Sequence, residues 1–98
     1  MAGSGTTTLD FGAFPGATDA TVTVTGQTGI VSGSLVGAWI RPVATADHSI
    51  DEHRVEDILV MADTIVAGTG FTIFGRSGNE YGRSTRLYGT WTVAWAWT

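Results

Sequence analysis

The chain has 98 residues, enough for one domain, and with 43% hydrophobic and only 14% charged residues it is too apolar to be disordered. Its net charge is −4 and all five of its bases are arginines, a balance that excludes a nucleic-acid-binding surface, because phosphate contacts need a basic stripe. The absence of cysteine removes disulfides and thiolate metal sites, and no apolar run reaches the length of a membrane span.

A domain this short buries roughly 60–65% of the surface its unfolded chain exposes, so oligomerisation is a common supplement to its core. Fourteen glycines and no lysine, beside many threonines, describe a surface built from hydroxyls rather than charge. Threonine favours strands and glycine favours turns, which points to a β-rich protein whose neighbours are other protein surfaces. The opening MAGSGTTTLD has neither the basic nor the apolar region of a secretory signal, so no signal peptide is expected.

In chain order, residues 1–19 read as a Gly/Thr-rich arm or edge strand, with Phe11 and Phe14 tucking under a sheet. Residues 20–98 read as the sandwich domain. ATVTVT at 20–25 alternates, Val22 and Val24 inward and Thr21, Thr23 and Thr25 outward. LVGAWIR at 35–41 is the next strand, which Pro42 ends or places at an edge. VATADHSIDEHR reads as a polar loop. In RVEDILVMA at 54–62, Val55, Ile58, Leu59 and Ala62 fit helical spacing, but the pattern is too short for a normal helix. Ile58, Val60 and Ala62 alternate, which favours a strand. DTIVAGTG reads as a turn-rich link, GFTIFGR at 70–76 as a strand and SGNEYGRS as a loop. TRLYGTWTVAWAW at 85–97 reads as the longest strand. About six strands, glycine-rich turns and no helix predict an all-β chain, a single antiparallel β-sandwich.

In the last strand, Leu87, Trp91, Val93, Trp95 and Trp97 share one face, and Tyr88, Thr90, Thr92, Ala94 and Ala96 share the other. The heavy face fills a core. A core about 10 Å thick has limited room for three indoles, so at least one is expected at the rim. The light face lets another chain approach.

The segment 44–57 holds Asp47, His48, Asp51, Glu52, His53, Glu56 and Asp57. Histidine and carboxylate side chains suit zinc or calcium, but His-x4-His is neither H-E-x-x-H nor the alternating oxygen pattern of an EF-hand loop. A solvated polar loop is the plainer reading, and a pH-responsive contact against a neighbour's acids is a third. No metal and no other cofactor is expected. Arg76, Arg83 and Arg86 form a patch of opposite sign. It suits an ion-pair contact within or between subunits, or the binding of an acidic sugar or phosphate. Asp47, His48 and Ser49 are consecutive and cannot form a triad by themselves, there is no G-x-S-x-G elbow, and no phosphate loop is present. An enzyme is therefore not expected.

ADTIVAGTGFTIFG, followed after a loop by LYGTWTVAWAW, resembles the C-terminal half of H-type lectin domains over about residues 54–97. The resemblance implies a six-stranded sandwich, association as a trimer and binding of galactose-type sugars. The family's acid, arginine and aromatic contacts would fall on Glu52, Arg54, and Trp91 or Trp97. The whole chain, from TTTLDFGAFPG through TVTVTGQTGIVSGS and TADHSIDEH to GTWTVAWAW, also resembles small structural proteins of tailed-phage virions. That implies a role in capsid decoration, a head fibre or the tail surface, and location in the virion after synthesis in the host cytoplasm. The expected function is thus a non-enzymatic virion component acting through homo-oligomeric contacts and contacts with other virion proteins. The alternative is a glycan-binding module. Glu52, Arg54, Trp91 and Trp97 are the expected glycan or partner contacts. Asp47, His48, Asp51 and His53 are the expected interface loop.

Overall fold

The computed structural model describes residues 2–56, 58–77 and 86–98. In chain order these form β1 (Gly3–Asp10), β2 (Asp19–Val24), β3 (Val36–Ile40), α1 (Ile50–Val55), β4 (Ile58–Val66), β5 (Gly70–Ser77) and β6 (Thr90–Trp97). The strands make two three-stranded antiparallel sheets, β1-β6-β3 and β2-β5-β4. They pack face to face as a β-sandwich. Each sheet has its most deeply buried strand in the middle, where both neighbours supply backbone partners: β5 in one, β6 in the other. The core between them contains Leu9, Phe11, Val24, Ile30, Phe71, Ile73, Leu87 and the heavy face of β6.

The tryptophans settle inside, contrary to the expectation that one reaches the rim. Trp91, Trp95 and Trp97 are 2%, 8% and 4% exposed. Room for them comes from the strand beside them. In β1 the inward positions opposite Trp97 and Trp95 are Gly3 and Gly5. A Cβ on Gly3 would stand 2.5 Å from the Trp97 indole nitrogen, and one on Gly5 would stand 2.7 Å from Trp95. The indoles therefore lie over bare backbone, and the Gly/Ser/Thr composition of the first strand is part of the core design. Trp97 Nε1 donates to Gln27 Oε1 at 2.9 Å. Across the sandwich Gly75 plays the same part for Leu9.

Four other expectations change. The polar segment before residue 56 contains a helix, α1, with a capping box: Ser49 Oγ accepts from the Glu52 N–H, and the Glu52 carboxylate accepts from the Ser49 N–H. Residues 63–66 are not a link. β4 continues through them across a bulge between Asp63 and Val66, where Thr64 adopts φ 54°. That makes β4, not the final strand, the longest. The final strand starts only at Thr90, because Gly89 turns the backbone at φ 74° and Leu87 makes just an isolated bridge with Ala17. Phe11 is buried but Phe14 is exposed, its ring edge-on to Tyr88. Residues 78–85, where a loop was expected and which include Arg83, and Asp57 lie outside the described residues.

Candidate functional site

β3 runs beside β6 only as far as Ile40, which pairs with Val93. Arg41 makes one more backbone bond, its N–H donating to the Thr92 carbonyl at 3.0 Å, and then Pro42 turns the chain away. This leaves the first part of β6 with an unpaired edge, and a buried backbone donor or acceptor without a partner is costly. The segment 43–53 returns along that edge and meets it with side chains. Asp47 Oδ2 accepts from both the N–H and the hydroxyl of Thr90, at 2.8 and 2.9 Å. Thr45 Oγ1 donates to the Thr90 carbonyl at 2.8 Å. His53 Nε2 accepts from the Thr92 N–H at 3.0 Å, and the Thr92 hydroxyl donates to the Val43 carbonyl. The Asp/His segment thus replaces the missing length of β3 with carboxylate, hydroxyl and imidazole.

Both histidines are buried. The partners of His53 assign its tautomer: Nδ1 donates to the Ser49 carbonyl at 2.7 Å while Nε2 accepts from Thr92. His48 has two acceptors instead, the Glu52 carboxylate at 2.7 Å on Nδ1 and the Tyr88 carbonyl at 2.5 Å on Nε2. Its ring lies flat on Trp91, centroids 3.7 Å apart and planes 18° apart, and His53 meets the same indole edge-on. Together the two imidazoles close the end of the core. The hydrogen bond to His48, and then that from the Ser49 backbone, hold the Glu52 carboxyl below its ordinary 4.5. The Thr90 N–H, and then its hydroxyl, hold Asp47 below 3.8.

This geometry reassigns the residues singled out in the sequence. Asp47, His48 and His53 bind their own chain: the two imidazoles are buried, and Asp47, though exposed, holds Thr90. Asp51 stays in solvent, paired with Arg54 at 3.1 Å in an exposed i, i+3 ion pair. Glu52 and Arg54 therefore have different partners and do not form a joint acid–arginine site. Trp91 and Trp97 are core residues with little surface to offer, Trp91 only an edge. Trp91 Nε1 is buried without a hydrogen-bond partner among the described residues. Glu52 does line a cleft of about 280 Å³ with Glu56, Arg86, Leu87, Tyr88 and the edges of His48 and Trp91. Arg86 also donates to the Gly16 carbonyl at 3.3 Å. Among the described residues, no three acids or histidines converge as metal ligands. No helix there is long and apolar enough to cross a membrane.

Two outer surfaces stand out, the first of them built on the light face of the last strand. The outer face of β1-β6-β3 is floored by small residues: one cross-strand row is Ser4, Ala96 and Gly37, the next Thr6, Ala94 and Trp39. Trp39 is half exposed and stands over a groove of about 250 Å³ bounded by Ser4, Thr6, Arg41 and Ala94. The outer face of β2-β5-β4 carries Leu59 and Met61 beside Phe74. Leu59 and Met61 are 42% and 44% exposed. Period-two alternation held the signal for both: Trp39 lies opposite in phase to Val36, Ala38 and Ile40, and Leu59 and Met61 opposite to Ile58, Val60 and Ala62. Comparison of the chain with protein-family models, with curated proteins and with solved structures finds no match.

Proposed function

We propose that the protein is a non-enzymatic structural component of a tailed-phage virion, an H-type-lectin-like sandwich that assembles with copies of itself, as a trimer, and works through contact area rather than chemistry. The observation that carries the self-association is the outer face of β2-β5-β4. Leu59 and Met61 are exposed there on a sheet otherwise dressed in threonine, with Phe74 between the rows. A contiguous apolar patch on a small soluble domain marks an interaction surface. The face also carries Arg76 opposite Asp19, with Asp63 farther along the sheet. Arg76 has no hydrogen bond or ion pair among the described residues. A second copy meeting this face supplies both an apolar lid for Leu59 and Met61 and an acid for Arg76.

Sedimentation across a wide concentration range tests this. The chain is expected to sediment as a trimer and Leu59→Asp/Met61→Asp as a folded monomer. A chain that is monomeric throughout, and fails to bind purified capsids or tails, overturns the reading.

A second reading, a glycan-binding module, draws its support from Trp39. A half-exposed indole beside hydroxyls and a guanidinium is the type of surface on which a sugar ring rests. The two readings are compatible because they use opposite faces of the sandwich.

A further inference from the structure

From the groove on the outer face of β1-β6-β3 we infer a binding site for an acidic pyranose, a sugar ring bearing a carboxylate of the uronic-acid type. The inference rests on the glycan-binding reading and names its site and ligand class.

Four features carry it. The first is the platform. Trp39 projects from a floor of Ala94, Ala96 and Gly37, and a Cβ on Gly37 would meet nothing within 4 Å. No tall side chain of that floor flanks the indole, so one face of a flat ring can lie against it, and an aromatic body of this kind contributes large contact area. The second is the charge. Arg41 lies two residues from Trp39 on the same face and lines the same groove. Among the described residues its guanidinium has no hydrogen bond or ion pair, whereas Arg54 is paired with Asp51 and Arg86 with a carbonyl. A free planar fork fits a carboxylate in two parallel bonds. Among the described residues no acid lines the groove to compete, although the chain as a whole is acidic. The third is the far wall. Ser4 and Thr6 come from β1, two strand spacings or roughly 9–10 Å from β3, and each hydroxyl both donates and accepts. A polyhydroxylated ligand uses such partners and an aliphatic acid does not. The fourth is size. At about 250 Å³ the groove is smaller than the roughly 300–1,000 Å³ of pockets that enclose drug-sized ligands, and it suits a ring lying on the surface. A lone cation among neutral groups also disfavours a polyphosphate, which needs several.

The test is a titration, followed by Trp39 fluorescence and calorimetry, with two disaccharides that differ in one group: glucuronyl-β-1,4-glucose and cellobiose. The acidic sugar is expected to bind ~10-fold more tightly than the neutral one. Arg41→Gln is expected to erase that difference, and Trp39→Ala to abolish binding of both. Both side chains project from the surface, and unchanged near-ultraviolet dichroism from the buried tryptophans checks that the variants fold. Equal binding of the two sugars, with Arg41→Gln neutral, overturns the acidic-sugar assignment and leaves the glycan reading standing. Binding of neither sugar overturns both. A Trp39 signal that changes with protein concentration and not with sugar places a second copy in the groove, and overturns both as well.

Discussion

His53 shows how one side chain can do a strand's work. Its Nε2 takes the N–H that β3 would have taken had the strand continued, and its Nδ1–H returns the chain to Ser49. His53→Leu keeps apolar bulk but leaves the buried Thr92 N–H without an acceptor. The expected cost is about 1–3 kcal/mol in urea unfolding, the range for an orphaned buried polar group. The Thr92 amide should also exchange with deuterium faster than its neighbours on β6. Unchanged Thr92 protection would count against this assignment. Glycine 5 makes a second residue-scale case. Its missing Cβ is the space in which Trp95 lies, so Gly5→Ala overpacks the core, at an expected cost of about 1–3 kcal/mol. Gly37→Ala in the same sheet meets nothing and should be close to neutral, with equal changes in the two variants arguing against the packing account.

At the scale of elements, the docking of α1 and its preceding loop depends on two ionised carboxyls. Asp47 and Glu52 both hold their protons less tightly in the folded protein than in the unfolded chain. Their contribution is therefore fully present above the ordinary carboxylate range and is lost as pH falls through it and below. Urea unfolding should show stability falling from about pH 6 towards about pH 3. Asp47→Asn should be less stable at neutral pH and show a shallower slope, and a slope unchanged by this substitution would separate the loop from the acid response.

The same element explains what could be read from the chain. β2 and β5 were legible because a half-buried strand must alternate, and theirs do, and β3 because a short apolar run there is closed by Pro42. The two faces of the last strand were legible for the same reason. The helix was hidden because its acids and histidines look like a solvated loop, although Ser49-Ile50-Asp51-Glu52 holds the S-x-x-E spacing of a capping box. The site residues were misplaced for a related reason. Asp47, His48 and His53 are polar to serve the edge of β6, a need created by where β3 stops. Such a pairing spans about forty positions and leaves no local pattern. The reach of β4 was hidden because Asp63, Gly68 and Gly70 read as turn residues, while the strand continues across a bulge at which Thr64 takes a positive φ that its sequence does not announce.

The whole molecule presents two outer sheet faces of different character. One has a single indole over small residues beside Arg41. The other has an apolar patch with Arg76 and acids of its own, and neither arginine has a partner among the described residues. This division suits a building block that meets its copies on one face and keeps the other for a ligand. The ionic part of that association is testable apart from the apolar part. Arg76 has no partner among the described residues, so reversing its charge disturbs no ion pair among them. Against a second copy, Arg76→Glu places like charges near Asp19 or Asp63 of the neighbour. The wild-type assembly should therefore weaken as salt rises, by screening of this contact. Arg76→Glu should weaken assembly ~10-fold at low salt and lose much of the salt dependence, with the unfolding midpoint of the dissociated chain unchanged. An assembly equally tight with Arg76→Glu at every salt concentration would leave Leu59 and Met61 as its only driving contacts and remove the arginine from the interface.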